Sequence, residues 1–310
     1  MNGAPHPVIE IDSLRVTFKP RAGKRITAVD GLHMRVHEGE VVGFVGPNGA
    51  GKTTTIKVLM GFIPPDEGQA RILGEEPGAV SARRRLGYLP EVARYYPFLS
   101  ARETLRLYAT LDGVPRSRRA AAVQELLERV GLDARADDRL SGFSKGMLQR
   151  VGIAQAIMGN PDLLVLDEVT SGLDPVARRD VRTVLMGFKA QGKTVFFSSH
   201  ELTEVALLCD RILIMDEGKI LEENNLDDLL RASHAIMVRV QMNTVPTHMP
   251  AGIVLRASGE GICEYAADNR ETAAAWRSQL EAQGAKVLEE REEPASLEDY
   301  FVRKIGHKIT

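Results

Sequence analysis

From residue 8 to residue 18 apolar and polar side chains nearly alternate, with Val8, Ile9, Ile11, Leu14, Val16 and Phe18 separated by polar positions. A period near two puts the apolar set on one face of a strand, so a half-buried strand is predicted. A polar stretch over 19 to 25 precedes a second predicted strand, 28 to 36, which ends at His37, Glu38, Gly39 and Glu40. The pattern then changes. Val41, Val42, Gly43, Phe44 and Val45 form an almost unbroken apolar run. A short run of this kind suits a strand covered on both faces, as in a parallel sheet. Three more runs match it, at 163 to 166, 194 to 197 and 212 to 215. Helical patterns fill the spaces between them. Residues 101 to 160 read as helical, and 118 to 130 combine strong helix formers with apolar residues at helical spacing. Alternation of buried strands with helices predicts an α/β fold with a parallel sheet.

The charged run from 222 to 228 marks a second change. Strands are predicted at 235 to 240 and within 252 to 265, an amphipathic helix at 271 to 283, a strand at 286 to 289 and a last helix at 297 to 305. The expectation is a main domain over 1–230 and a small α+β accessory domain over 231–310.

Composition narrows the class. A chain of 310 residues suffices for one large domain and a small one. With 44% apolar and 26% charged residues, it reads as an ordinary globular protein. A net charge of −2 argues against nucleic acid as a partner. Arg83, Arg84 and Arg85, and the basic stretch at 116 to 119, are either solvated faces or contacts for acidic lipid or a partner loop. Cys209 and Cys263 lack metal-ligand spacing and read as reduced packing residues. The first seven residues lack a basic start followed by an apolar run, so no leader is expected. No apolar run approaches the roughly 18 residues a membrane span needs, so any membrane connection is expected to go through a partner.

The chemistry starts at Gly46, Pro47, Asn48, Gly49, Ala50, Gly51, Lys52 and Thr53. These residues match a phosphate loop, and they sit between a buried strand and an apolar-periodic helix that continues through Thr54. Glycines let successive backbone N–H groups turn inward around phosphate oxygens. A helix starting at Gly51 turns its positive end toward them. Lys52 can reach the β- and γ-phosphates, and the Thr53 hydroxyl can bind Mg²⁺. About 115 residues later, the buried strand at 163 to 166 ends in Asp167 and Glu168. Asp167 suits the Mg²⁺ that bridges phosphates. Strand alternation is expected to turn Glu168 the other way, as a general base on water.

The segment from Asp167 through Val169, Thr170, Ser171, Gly172 and Leu173 to Asp174 and Pro175 resembles the Walker B and D-loop of ABC ATPases, with Val169 where the family usually has Pro. Ser198, Ser199 and His200 resemble that family's switch histidine segment. The resemblance spans about residues 8 to 222, with its motifs in the family's order. Read alone, His200 is better explained as a satisfied histidine at a strand end; its place after Ser198 and Ser199 reverses that reading, and the resemblance implies contact with the γ-phosphate. Two registers compete for the signature loop, one through Leu140, Ser141 and Gly142 and one through Phe143, Ser144, Lys145, Gly146 and Met147. The spacing to Gln149 and Arg150 selects the second. In the family this loop opens a helix and binds ATP held by the other subunit, so the resemblance implies a dimer, with Ser144, Lys145, Gly146 and Asp174 on shared sites.

Glu91, after Leu89 and Pro90, stands where the family commonly has Gln, and a carboxylate there can ligate Mg²⁺. By the resemblance, Phe18 stands at the aromatic position, more usually Tyr, that stacks on adenine in relatives, although a lone aromatic on a strand is more often a core residue. The form Gly87-Tyr88-Leu89-Pro90-Glu91 and the tail Ser296-Leu297-Glu298-Asp299-Tyr300-Phe301 resemble ABC-2-type exporter ATPases. The resemblance thus implies a phosphate-loop core with a helical subdomain at about 92–160. It implies ATP and Mg²⁺ as cofactors, a second copy or close paralogue and integral-membrane permease subunits as partners, and a peripheral position at the cytoplasmic face of the membrane. Other ATPases fit less well. A translation ATPase of this superfamily would carry two fused halves, and a DNA-repair relative needs a long coiled coil where only 92 positions run from Lys52 to Ser144. A kinase would not explain the residues from Ser144 to Arg150.

Overall fold

Strand β1 (Pro7–Phe18) buries Ile9, Ile11, Leu14 and Val16, whose spacing is two, three, two. The extra residue is absorbed by a register shift between Ile11 and Leu14, where Ser13 adopts φ 51°. A bulge of this kind returns the apolar set to one face. β1 pairs antiparallel with β2 (Ile26–His37) and with β4 (Glu67–Ile72), giving a three-stranded sheet in the order β2-β1-β4. These observations come from a computed structural model that describes residues 7–19, 25–232, 234–242, 245–246, 249–250, 252–259, 261–294 and 297.

The four apolar runs lie side by side. β3 (Val41–Val45), β6 (Leu163–Leu166), β7 (Thr194–Ser199) and β8 (Arg211–Asp216) belong to a six-stranded sheet in the order β5-β6-β7-β3-β8-β9, with β5 (Leu86–Leu89) and β9 (Lys219–Asn225) at its edges. The strands from β5 to β8 run parallel. Every residue of β3, β6 and β7 is buried, as a sheet covered on both faces requires. β4, β5 and β9 are not announced by the apolar pattern. β5 has only four residues, and Gly87 interrupts its apolar pattern. A methyl group on Gly87 would stand 2.1 Å from the Ala156 carbonyl oxygen, so this strand needs glycine to lie against the next helix layer.

Helices α1 (Lys52–Leu59), α2 (Val80–Arg83), α3 (Ala101–Leu111), α4 (Arg116–Arg129), α5 (Lys145–Ala156), α6 (Pro175–Lys189) and α7 (Leu202–Leu208) complete this unit. The stretch predicted as helical over 101 to 160 is three helices, α3, α4 and α5, packed on one another. α3 begins with a capping box in which Ser100 and Glu103 satisfy each other's backbone N–H. Among the described residues no helix is long and apolar enough to cross a membrane.

The chain divides into two units, Met1–Glu223 and Asn224–Thr310. The second contains α8 (Leu226–Ala232), β10 (His234–Gln241), β11 (Ile253–Gly259), β12 (Ile262–Ala267), α9 (Arg270–Ala282) and β13 (Lys286–Pro294). Its strands form an antiparallel sheet ordered β11-β12-β10-β13. Trp276 and Leu280 of α9 pack into one core with Ile236, Val238, Val240 and Tyr265. Asn269 caps α9 by accepting a hydrogen bond from the Thr272 N–H at 2.8 Å. The helix predicted over 297 to 305 lies outside the described residues except for Leu297.

Candidate functional site

The loop from β3 into α1 depends on glycine. Gly49 and Gly51 sit at φ 85° and 112°, in the left-handed region that side chains disfavour. A Cβ on Gly51 would also meet the Ala28 carbonyl oxygen at 2.3 Å. Gly51 is the N-cap of α1, and no side chain caps that end. The helix therefore starts at Lys52, one residue later than the sequence reading, and its first N–H groups are left for a ligand. They open on a cleft of about 410 Å³ lined by Ala28, Asn48, Gly49, Ala50, Gly51, Lys52, Thr53, Thr54, Glu91, Glu168, Ser171 and His200.

Lys52 is only 5% exposed. Its Nζ donates to the carbonyls of Gly46 at 2.6 Å and Pro47 at 3.2 Å, and lies 3.3 Å from Glu168 Oε1. A buried cation must be paired in this way. Glu168, Ser171 and His200 reach the cleft from the segments that follow β6 and β7. Asp167 Oδ1 accepts hydrogen bonds from Ser198 Oγ at 2.7 Å and from Thr53 Oγ1 at 3.2 Å. Burial holds the Asp167 carboxyl above its usual range, while the two hydroxyls pull the other way.

Glu168 corrects one expectation. β6 ends at Leu166, and Glu168 has φ 51°. Its side chain is aimed by a left-handed turn and not by strand alternation. The same Ser198 Oγ that donates to Asp167 accepts the Glu168 backbone N–H at 3.0 Å. One Glu168 carboxylate oxygen faces Lys52, and the other is 2.6 Å from His200 Nδ1. Phosphate loop, Thr53, Asp167, Glu168 and His200 are thus brought together.

Other residues lie apart from the cleft lining. Ser144 is the N-cap of α5 and accepts from the Met147 N–H at 3.3 Å, whereas Ser141 lies in a short turn, Leu140–Gly142. Lys145 and Gly146 open α5, and a methyl on Gly146 would come within 2.9 Å of the Ala177 Cβ on α6. Asp174 caps α6 through the Ala177 N–H at 2.9 Å. Ser144, Lys145, Gly146 and Asp174 do not line the cleft, nor do Gly46, Pro47, Asp167 and Phe18, the last a half-exposed residue at the end of β1.

Two residues were not assigned a role from sequence. Ser198 lies inside a quoted motif, but nothing local marks it as the bridge between Asp167 and Glu168. Gln149, a buried residue of α5, donates to the Val169 carbonyl at 2.8 Å and so steadies the turn beyond Glu168.

The ABC transporter family pattern matches residues 29–171. An uncharacterized ABC transporter ATP-binding protein of Nostoc sp. is 36% identical, over 93% of this chain and 86% of its own length. The Nod factor export ATP-binding protein I of Ralstonia nicotianae is 34% identical, over 98% of this chain and 95% of its own. The bacitracin transport ATP-binding protein of Bacillus licheniformis is 37% identical, over 90% and 92%. Among solved structures, the ATP-binding subunit of an ABC transporter superposes with a TM-score of 0.64 at 31% identity, over 73% of this chain and 92% of that one. A dimeric bacterial ABC transporter cassette gives 0.65 at 25% identity, over 70% and 98%. With a phosphate loop, Glu168 and His200 around one cleft, Asp167 hydrogen-bonded to Thr53 of that loop, and relatives above 30% identity over most of their length, the chain belongs to the ABC transporter ATP-binding proteins, the ATP-hydrolysing subunits of these transporters.

Proposed function

We propose that this chain drives an ABC-2-type exporter by closing head-to-tail with a second copy around two ATP molecules. The observation that carries this reading is the separation of two half-sites. The cleft holds Lys52, Glu168 and His200, while Ser144 heads α5 outside that lining. A helix N-terminus with a hydroxyl cap suits a γ-phosphate delivered by another chain. The dimeric cassette that this fold matches is consistent with such pairing.

In the proposed reaction Lys52 leaves the Gly46 and Pro47 carbonyls for the phosphates. Glu168 removes a proton from water as the water oxygen bonds to the γ-phosphorus; the bond to the β–γ bridging oxygen breaks, and ADP and phosphate result. His200 holds the Glu168 carboxylate in place. The Thr53 hydroxyl and Asp167 carboxylate, 3.2 Å apart, are the hard oxygen donors that Mg²⁺ prefers, and a cation there would relieve the buried charge of Asp167. Mg²⁺ supplies neutralisation of the phosphate charge. Glu91 can add a further carboxylate oxygen to this donor set.

Export is inferred from the names of the Nod factor and bacitracin relatives. Val92, Tyr96 and Phe98 form an exposed apolar group just after Glu91, which suits docking of a permease at the membrane's cytoplasmic face. Residues 231–310 are assigned as an accessory domain that aids dimerisation or regulation. The test is Glu168→Gln in the purified chain. It should bind ATP, lose turnover by about 100-fold or more, and accumulate as an ATP-bound dimer on size-exclusion chromatography. Full hydrolysis would refute the base assignment, and an ATP-bound monomer at all concentrations would refute the dimer.

A further inference from the structure

We infer that Arg178 is a positioning residue of the ATPase site, one guanidinium that ties the loop before α6 to the loop that carries His200. The inference rests on the proposed roles of Glu168 and His200. Arg178 Nε donates to the Leu173 carbonyl at 2.9 Å, next to Asp174. One of its terminal nitrogens pairs with Glu201 Oε2. Glu201 follows His200 directly and is itself pinned, its N–H donating to Ser199 Oγ at 2.9 Å. His200 in turn reaches Glu168 at 2.6 Å. A continuous series therefore runs from Leu173 through Arg178, Glu201 and His200 to the proposed base.

Two further side chains of α6 reach toward the same part of the chain. Arg182 lies 3.7 Å from Glu204. Lys189 Nζ lies 2.6 Å from Asp210 Oδ1 and donates to the Leu208 carbonyl at 3.2 Å. These fasten α6 to the chain around α7, but neither touches the Leu173 or His200 loops. Arg178 differs because a planar fork with five donors can hold a carbonyl and a carboxylate at once. With 32% of its side chain exposed and 17% of that of Glu201, the pair is only partly shielded, so its value lies in geometry more than in stability. A shift of the Leu173–Asp174 loop, the segment that the proposed dimer brings to a second copy, is passed by this fork to His200.

The test is steady-state ATPase kinetics on the full chain for Arg178→Gln, Arg178→Lys and Arg182→Gln, with thermal midpoints and ATP affinity measured on each. Arg178→Gln should lower kcat about tenfold or more with KM within about twofold, because a displaced catalytic group costs rate and not binding. Arg178→Lys keeps the charge without the fork and should regain part of that loss. Arg182→Gln should lose thermal stability yet keep kcat. The inference is overturned if Arg178→Gln keeps kcat within about twofold of wild type, or if Arg182→Gln loses as much kcat as Arg178→Gln. Glu168→Gln in the same assay separates the failures. Turnover by that variant would sink the site reading itself. A dead Glu168→Gln beside a normal Arg178→Gln would sink this inference alone.

Discussion

Ser198→Ala removes one oxygen from the interior, yet it takes a hydrogen bond from two groups, leaving Asp167 only the Thr53 hydroxyl. Ser198 is fully buried at the end of β7. Its hydroxyl donates to Asp167 at 2.7 Å and accepts the Glu168 N–H at 3.0 Å. A hydrogen bond to a charged group contributes about 1.5–3 kcal/mol, and a buried N–H left without an acceptor costs about 1–3 kcal/mol. Dropping the desolvation of the hydroxyl itself returns about 1 kcal/mol. The net expectation is a loss of about 3 kcal/mol, a large share of the roughly 5–15 kcal/mol that holds a domain folded. With a urea dependence near 3 kcal/mol per molar for a unit of this size, the midpoint should fall by about 1 M. Circular dichroism is the appropriate probe, since the single tryptophan, Trp276, lies in the second unit. The same variant should lower kcat about tenfold or more, because the left-handed turn at Glu168 is held partly by this bond. An unchanged midpoint together with wild-type turnover would refute the claim that Ser198 supports both the Asp167 carboxylate and the turn at Glu168.

Lys52→Ala should weaken ATP binding about tenfold or more in a titration, since a charge-assisted contact to phosphate is lost; normal affinity would contradict the phosphate-loop reading. Gly87→Ala places a methyl 2.1 Å from the Ala156 carbonyl oxygen, where only backbone can give way, and should cost about 1–3 kcal/mol in a denaturation series. Ser144→Ala should lose about 1 kcal/mol with its helix cap, while Ser141→Ala should stay within about 0.5 kcal/mol of wild type. Equal effects of the two serine variants would undo the signature register.

Elements whose physics is local are legible along the chain. Unbroken apolar runs announce β3, β6, β7 and β8, because a strand covered on both faces has no polar side. Gly49 and Gly51 announce a turn that side chains disfavour, and Asp167 with Glu168 announces charge at the end of such a run. Less was legible where the pattern is short: β5, with four residues around Gly87, carries too few positions to show a period. Which distant residues meet depends on how the strands and helices pack. β6 and β7 are parallel neighbours with Leu166 beside Phe197, and that register brings Ser198 to Asp167 from 31 positions away. The packing of α6 against α7 brings Arg178 to Glu201, and the turn at Glu168 aims its carboxylate between Lys52 and His200. Hydrophobic period and turn chemistry are written residue by residue along the chain. Pairings between side chains depend on the order and register of strands, which are fixed only when the whole sheet closes around its core.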